Sequence, residues 1–370
     1  MPRDERWSDL GGVFALFMSG DMHSEREYET PWRHPVDDLI ARLNDSERGR
    51  LRSEGLPSQP EAMLATLTDD VFSDDDWIFE RKFDGERVLA VHDGSQAFLL
   101  SRTGRTLDRT YPEIKAAVTR STGHRLVIDG EIVAFEGGLT SFSRLQRRMG
   151  LTRPQDVRQS TVAVYYYVFD LLHLDGHDTT RLPLRTRKRL LRSAVTWQSP
   201  LFFTQHRNAD GAEYFAAACQ RGWEGVIAKR GDAPYRPGRG RSWLKLKCVD
   251  EQEFVIGGFT PPRGSRVGFG ALLVGYFERG RLRYAGKVGT GYDTATLRSL
   301  RSRLDGLRRD ASPFAERVNE KDSRWVTPEL VAEVGFSEWT NDQRLRHPRF
   351  LGLRRDKPAT EVVRERPQPR

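Results

Sequence analysis

Cysteine is nearly absent, with only Cys219 and Cys248 in 370 residues. Two cysteines form one bridge at most, which excludes a disulfide scaffold and fits a reducing compartment. No Cys/His spacing of a zinc module occurs. Long apolar runs are missing too: nothing approaches the roughly 18 residues of a membrane span. The most apolar stretch, Val162 to Leu172, is broken by Asp170 and reads as a buried strand. The opening residues, MPRDERWSDLGG, lack a basic-then-apolar export signal, so a cytoplasmic location is expected. Lysine is the remaining scarcity, nine against 51 arginines. Where arginine serves every generic positive charge, a lysine can mark a place that needs a compact, titratable amine.

At this length two or three domains are expected. The net charge of +8 is unevenly spread: residues 1–79 carry −10, residues 80–248 carry +12 and residues 249–370 carry +6. An acidic leader before a basic body is the footprint of a polyanion binder, or simply of solvated surface. Residues 1–30 lack a sustained apolar period and read as poorly ordered. Pro35 to Leu56 reads as a helix. Alternating strands begin at Trp77, with turns at Asp84-Gly85 and Asp93-Gly94. Leu126 to Phe135 reads as a strand pair turning at Asp129-Gly130. Helices are expected at 111–119, 143–149, 184–194 and 212–221. After Cys248 come five short strands and one helix, Thr294 to Leu304, the pattern of a small OB barrel. The expected fold is α+β: antiparallel sheets with flanking helices at 57–248, then an OB-fold barrel at 249–360. An acidic leader, 1–56, and a tail, 361–370, complete the division.

Lys82 ends a strand beside the Asp84-Gly85 turn. As a nucleophile it must lose its proton, which neighbouring cations would favour; alone, it equally fits a surface lysine. In Trp243-Leu244-Lys245-Leu246-Lys247 the two lysines share one strand face, ~7 Å apart, and could grip a phosphate or simply face solvent. Glu131 and Glu224 stand at strand ends, and such carboxylates suit Mg²⁺ held together with phosphate oxygens, or are exposed turn acids. Phe169 could stack on a base or fill a core. The common nucleotide loops are missing: Gly286-Lys287-Val288 lacks the Ser/Thr and opening glycine of a phosphate loop, and Gly238-Arg239-Gly240 lacks the third glycine of a dinucleotide fingerprint.

Seven segments occur in an order that is specific as a set. They begin with Lys82-Phe83-Asp84-Gly85-Glu86-Arg87, Ser101-Arg102-Thr103-Gly104-Arg105 and Asp129-Gly130-Glu131. Val168-Phe169-Asp170-Leu171-Leu172, Glu224-Gly225-Val226-Ile227-Ala228-Lys229 and Trp243 to Lys247 follow. Arg346-His347-Pro348-Arg349-Phe350 through Arg354-Arg355-Asp356-Lys357 closes the series. Over about Pro60 to Lys357 the chain resembles the ATP-dependent DNA ligases of the covalent nucleotidyltransferase superfamily, and within them the ligase module of bacterial ligase D.

The resemblance implies that Lys82 attacks the α-phosphate of ATP, that AMP passes to a DNA 5′-phosphate, and that a 3′-hydroxyl displaces it. Glu80 would read the adenine amino group, Phe169 would stack on the ring, and Lys229 would lie on its other side. Arg87 and Arg102 would contact ribose and the DNA 5′-phosphate, and Lys245 and Lys247 the α-phosphate. Glu131 and Glu224 would hold Mg²⁺ or Mn²⁺. The barrel would close so that Asp356 and Lys357 orient pyrophosphate. Duplex DNA with nicks or ends is the implied partner, with a Ku-type end-binding protein by analogy, a monomer as working form, and the bacterial nucleoid as the place of action. Absence of polymerase, phosphoesterase and large helical DNA-binding modules points to a stand-alone form. RNA ligation or capping, and a catalytically inactive DNA-binding accessory, are the alternatives; covalent labelling with ATP or GTP separates them.

Overall fold

Two sheets face each other across a cleft, and period-two burial in their strands decides what lines it. The computed structural model describes residues 36–262 and 264–368. In the first sheet Arg52–Ser53, His177–Asp178, Tyr165–Leu174, Arg125–Val133, Glu86–Asp93 and Ala97–Ser101 lie side by side, with Leu201–Phe203 parallel to Tyr165–Leu174. The second runs His206–Ala209, Asp74–Lys82, Gly225–Arg230, Gly238–Lys247 and Met63–Leu67. Helices Pro112–Ser121 and Leu184–Ala194 pack near the first sheet, burying Ile114, Val118, Leu190 and Leu191 with Val88, Leu99 and Ile128. Gly211–Gln220 covers the back of the second, over Phe79, Val226, Ala228 and Leu244. Between the sheets lie Leu89, Val127, Phe169, Tyr235 and Trp243.

Because Phe79, Val226 and Leu244 point backward, Glu80 and Lys82, Ile227 and Lys229, and Trp243, Lys245 and Lys247 point into the cleft. Register sets them in rows. Lys82 and Lys247 both pair with Gly225, Glu80 and Lys245 both pair with Ile227, and Lys229 lies between Ile78 and Trp243. Gly225 has φ +154°, and a Cβ there would meet the Leu246 carbonyl oxygen at 2.0 Å, so the row through Lys82 requires glycine.

Several expectations need correcting. Leu126 to Phe135 is no hairpin: Arg125–Val133 is one continuous strand. Asp129-Gly130 marks an irregularity in its pairing with Tyr165–Leu174, where a Cβ on Gly130 would strike the Tyr167 carbonyl oxygen at 2.5 Å. Pro35 to Leu56 is not one helix but Val36–Ala41 and Asp45–Arg48, split at Asn44, which caps the second. This part of the leader is packed: Leu39 and Leu43 join the first core, and Glu47 pairs with Arg189. The disorder expected for residues 1–30 lies outside the described residues. The cysteines form the one bridge available to them, Cys219 to Cys248.

Beyond Cys248, Glu251–Phe259, Leu272–Glu278, Arg281–Val288, Arg324–Val326, Val331–Gly335 and Arg349–Arg354 build one sheet beside helix Thr294–Gly306. The barrel ends are joined by a single bridge, Thr290 to Arg349, rather than by a ladder. Arg349–Arg354, a strand the sequence reading missed, carries the last motif and lies against helix Phe142–Gln146, with Gln146 Nε2 donating to the Leu353 carbonyl at 3.0 Å. The C-terminal sheet is thus seated on the first domain. Among the described residues no helix is long and apolar enough to cross a membrane.

Candidate active site

A cavity of about 190 Å³ opens between the sheets and the C-terminal domain. Ten of the twelve residues singled out from sequence line it; Glu224 and Lys247 line an adjoining cavity of about 80 Å³ that shares Lys82, Glu131 and Lys245 with the first.

Lys82 ends its strand at the meeting point of the two cavities and is ion-paired with Glu224. Here the structure reverses an expectation. Burial does favour the neutral amine, but Glu224, with smaller help from Asp84 and Glu333, outweighs it and raises the Lys82 pKa. Without substrate, Lys82 is therefore a held ammonium. Glu224 Oε2 is buried and has no hydrogen-bond partner among the described residues. Glu131 is pushed up to about 7 by burial, against the pull of Arg87. Two such carboxylates beside a phosphate-sized space fit Mg²⁺, which takes one or two carboxylates and completes its shell from phosphate and water oxygens. Among the described residues no group of three or more His, Cys, Asp or Glu is arranged to hold a metal alone.

At the opposite end of the cavity Glu80 is 2% exposed between two ammonium groups. Lys188 pairs with one oxygen and Lys229 with the other at 2.5 Å, while Lys188 also donates to the Thr204 carbonyl at 3.1 Å. Burial alone would raise the Glu80 carboxyl; the two lysines outweigh it and hold it below the usual range. Lys229 Nζ lies 4.0 Å from the Phe169 ring centroid and 4.2 Å from that of Trp243, and burial lowers it to about 8. Phe169 is thus both a buried core residue and a wall of the cavity. Lys188 was counted among the nine lysines but given no role; its scarcity in an arginine-rich chain was the available signal.

Arg87 lines the cavity but is already held by an acid. It forks onto Asp129 at 2.5 and 2.6 Å, Tyr235 donates to the same carboxylate at 2.7 Å, and the guanidinium carbon lies 4.5 Å from the Phe169 ring centroid. Arg102 reaches across the domains to the Asp356 carbonyl at 3.1 Å. Asp356 accepts from Arg354 at 3.0 and 2.9 Å, and Lys357 pairs with Glu253 at 3.1 Å. Lys245 and Lys247 meet Glu365, from the expected tail, with Lys247 at 3.1 Å. Near Lys82 the C-terminal sheet also contributes Glu251 and Glu333. Burial, with Glu224 and Glu333 adding to it, raises Glu251 to about 7. Nothing in the sequence announced Glu251, Glu333 or Glu365, because their approach depends on how the domains meet.

A strand-end lysine in a two-sheet cleft, overlooked by an OB-type sheet, is the architecture of the covalent nucleotidyltransferases. Residues 62–247 match the family model of the ATP dependent DNA ligase domain, and residues 265–357 match that of the ATP dependent DNA ligase C terminal region. The chain belongs to the ATP-dependent DNA ligase family. It is 41% identical over 295 residues to the multifunctional non-homologous end joining DNA repair protein LigD of Mycobacterium tuberculosis, covering 78% of this chain and 37% of that protein. With a Pseudomonas aeruginosa LigD it shares 36% identity over 301 residues, 79% of this chain and 35% of the relative. The chain therefore spans little more than a third of these relatives. A solved structure of mycobacterial DNA ligase D complexed with ATP and MES matches at 38% identity and TM-score 0.60, over 82% of this chain and 98% of that one.

Proposed function

We propose that the chain seals breaks in duplex DNA in three steps, two transfers of AMP and its final displacement, with Lys82 as the nucleophile. The observation that carries the reading is the row through Gly225, which sets Lys82 and Lys247 on either side of that glycine, with Glu224 paired to Lys82. In the first transfer Lys82 gives up one ammonium proton, its Nζ forms a bond to the α-phosphorus of ATP, the bond to pyrophosphate breaks, and a second proton passes to pyrophosphate or water as the phosphoramidate forms. Glu224, already paired with that ammonium, would take the first proton. Lys245 and Lys247 face the same space and would stabilise charge gathering on the phosphoryl oxygens. Mg²⁺ or Mn²⁺, carried by Glu131 and Glu224 with the nucleotide, would supply further charge neutralisation.

Glu80 accepts from the adenine amino group in this reading, beside Phe169 and Lys229, while Asp356 and Lys357 face the departing pyrophosphate. In the second transfer a DNA 5′-phosphate oxygen attacks the same phosphorus and the bond to Lys82 breaks as Nζ takes up a proton, returning the amine. In the third step a 3′-hydroxyl gives up its proton and forms a bond to the 5′-phosphorus, the bond to AMP breaks, and AMP leaves. Arg87 and Arg102 would contact ribose and the DNA 5′-phosphate.

The functional division proposed is 57–248 for adenylation and 249–360 for clamping. The chain works in end joining, in keeping with the relatives' names; we further propose that it acts as a monomer on nicks or ends of chromosomal DNA in the bacterial cytoplasm, with a Ku-type protein as partner. Incubation with α-labelled ATP and Mg²⁺ followed by a denaturing gel tests the first transfer. Acid-labile label on the wild type and none on Lys82→Ala is expected, and nicked duplex DNA should discharge it. Label on the alanine variant would overturn the assignment; discharge by nicked RNA alone would turn the reading to RNA.

A further inference from the structure

Past the Arg349–Arg354 strand, residues 362–368 recross the molecule. Val362 is wholly buried in the C-terminal core, and its carbonyl accepts the Phe277 amide at 2.7 Å. Gln252 grips the following residues twice, donating to the Val363 carbonyl at 3.2 Å and accepting the Glu365 amide at 3.1 Å. Arg364 lies 4.2 Å over the Trp339 ring. The Gln368 amide then donates to the Leu67 carbonyl at 2.9 Å, at the edge of the second sheet. The segment is thus anchored on both domains, with Glu365 between the anchors.

The Glu365 side chain is 11% exposed, and each of its oxygens faces one of the two cleft lysines. Lys247 donates to Oε2 at 3.1 Å, and Lys245 pairs with Oε1. Two ammonium groups this deeply desolvated need a counter-charge. Burial alone would raise the Glu365 carboxyl; Lys245 and Lys247 outweigh it and hold it at about 2, so it is ionised throughout the working pH range. A carboxylate with one oxygen per lysine presents what two oxygens of a phosphate would present to the same pair.

We propose that Glu365 is an internal stand-in for the nucleotide phosphate, and that residues 362–368 form a strap which ATP must displace from Lys245 and Lys247. The inference rests on these lysines being the phosphate ligands. A tethered carboxylate competes as an intramolecular ligand, so its removal acts on apparent ATP affinity and leaves the saturated rate alone. The strap keeps the lysines paired and the domains together in the absence of nucleotide, at the expense of that affinity.

The test uses the full chain, cleared of bound AMP with pyrophosphate. Glu365→Gln keeps the backbone bond to Gln252 and drops the charge. Its KM for ATP in Lys82 adenylation should fall about 5- to 10-fold, with the rate at saturating ATP unchanged, as loss of an internal competitor requires. A raised KM, a lowered saturating rate or an unchanged KM would each overturn the strap. If thermal melting shows the variant unfolded, hydrogen exchange on the wild type decides. The Glu365 amide should exchange faster with a non-hydrolysable ATP analogue and Mg²⁺ present; equal or slower exchange contradicts the proposal. Lys245→Ala separates the two layers: if it leaves ATP affinity and adenylation untouched, the phosphate-ligand reading itself has failed, and the strap with it.

Discussion

The two ends of the cleft hold their charges in opposite ways. At the base end, Glu80, Lys188 and Lys229 all belong to the first domain, are each about 2% exposed, and pair two cations with one anion. At the phosphate end, Lys82, Lys245 and Lys247 come from the first domain, whereas Glu251, Glu333 and Glu365 arrive from beyond Cys248. The end around Glu80, where the proposed reaction puts the base, is finished when one domain folds. The end around Lys82, where it puts the phosphates, has Glu224 from the first domain but gains Glu251, Glu333 and Glu365 only when the second domain docks. In the proposed transfer of AMP from ATP to DNA, recognition can thus stay rigid while the reactive end changes partners.

Four expected outcomes would break or sharpen that contrast. The largest is at the nucleophile. Lys82→Arg should abolish adenylation, by at least about 10³-fold, since a guanidinium stays protonated, while retaining DNA binding in a gel-shift assay. Next, Lys245→Ala should lower the adenylation rate about 10²- to 10³-fold, the loss typical of removing one charge-stabilising donor. Lys188→Met attacks the other end. With one ammonium gone, buried Glu80 becomes easier to protonate, and a protonated carboxyl can donate to a 6-oxo purine. The ATP-over-GTP preference in kcat/KM should fall about 10-fold, a discrimination set by one buried polar contact. An unchanged preference would show that Glu80 needs no second lysine.

The smallest effect is on pH dependence. Glu251 faces Glu224, Glu333, Lys82 and Lys247, and its folded-state pKa of about 7 lies above that of an unfolded glutamate. The protonated form is therefore favoured by folding. Its contribution is fully present below about pH 4 and is lost as pH rises through 7. Glu251→Gln should raise Tm by about 2 °C at pH 8 and by nothing measurable at pH 5. A gain of equal size at both pH values would assign the effect to packing.

Much of this contrast could be read from the sequence, and the missing part has one cause. Lys82, Lys245 and Lys247 were visible because strand alternation puts i and i+2 on one face, and the fold keeps that local rule. Asp129-Gly130 misled because the same dipeptide serves a turn and a strand irregularity; what separates them is the Tyr165–Leu174 strand packed alongside, which lies far along the chain. Asn44 divided an expected helix through a side-chain cap that outcompetes the periodic pattern around it. The Lys82 pKa was expected to fall because its cations were evident; what raises it is the ion pair with Glu224, with smaller help from neighbouring Asp84 and from Glu333 of the other domain, and the closeness of that pairing is a tertiary fact. Glu365 and Gln252 sit 113 residues apart and meet only when the C-terminal domain folds, and Glu365 reaches Lys245 and Lys247 only when that domain docks. Local periodicity thus revealed the first domain's face of the site, and the opposing face had to come from the tertiary structure.

The most direct test of the account is to find where AMP is attached. Full-length protein incubated with ATP and Mg²⁺ would be digested and its peptides sequenced by mass spectrometry, with and without a chase of nicked duplex DNA. The expected result is AMP on the peptide containing Lys82, on that residue alone, lost during the chase as sealed product appears. AMP on another lysine such as Lys229 or Lys245, or AMP on Lys82 that nicked DNA never removes, would contradict it.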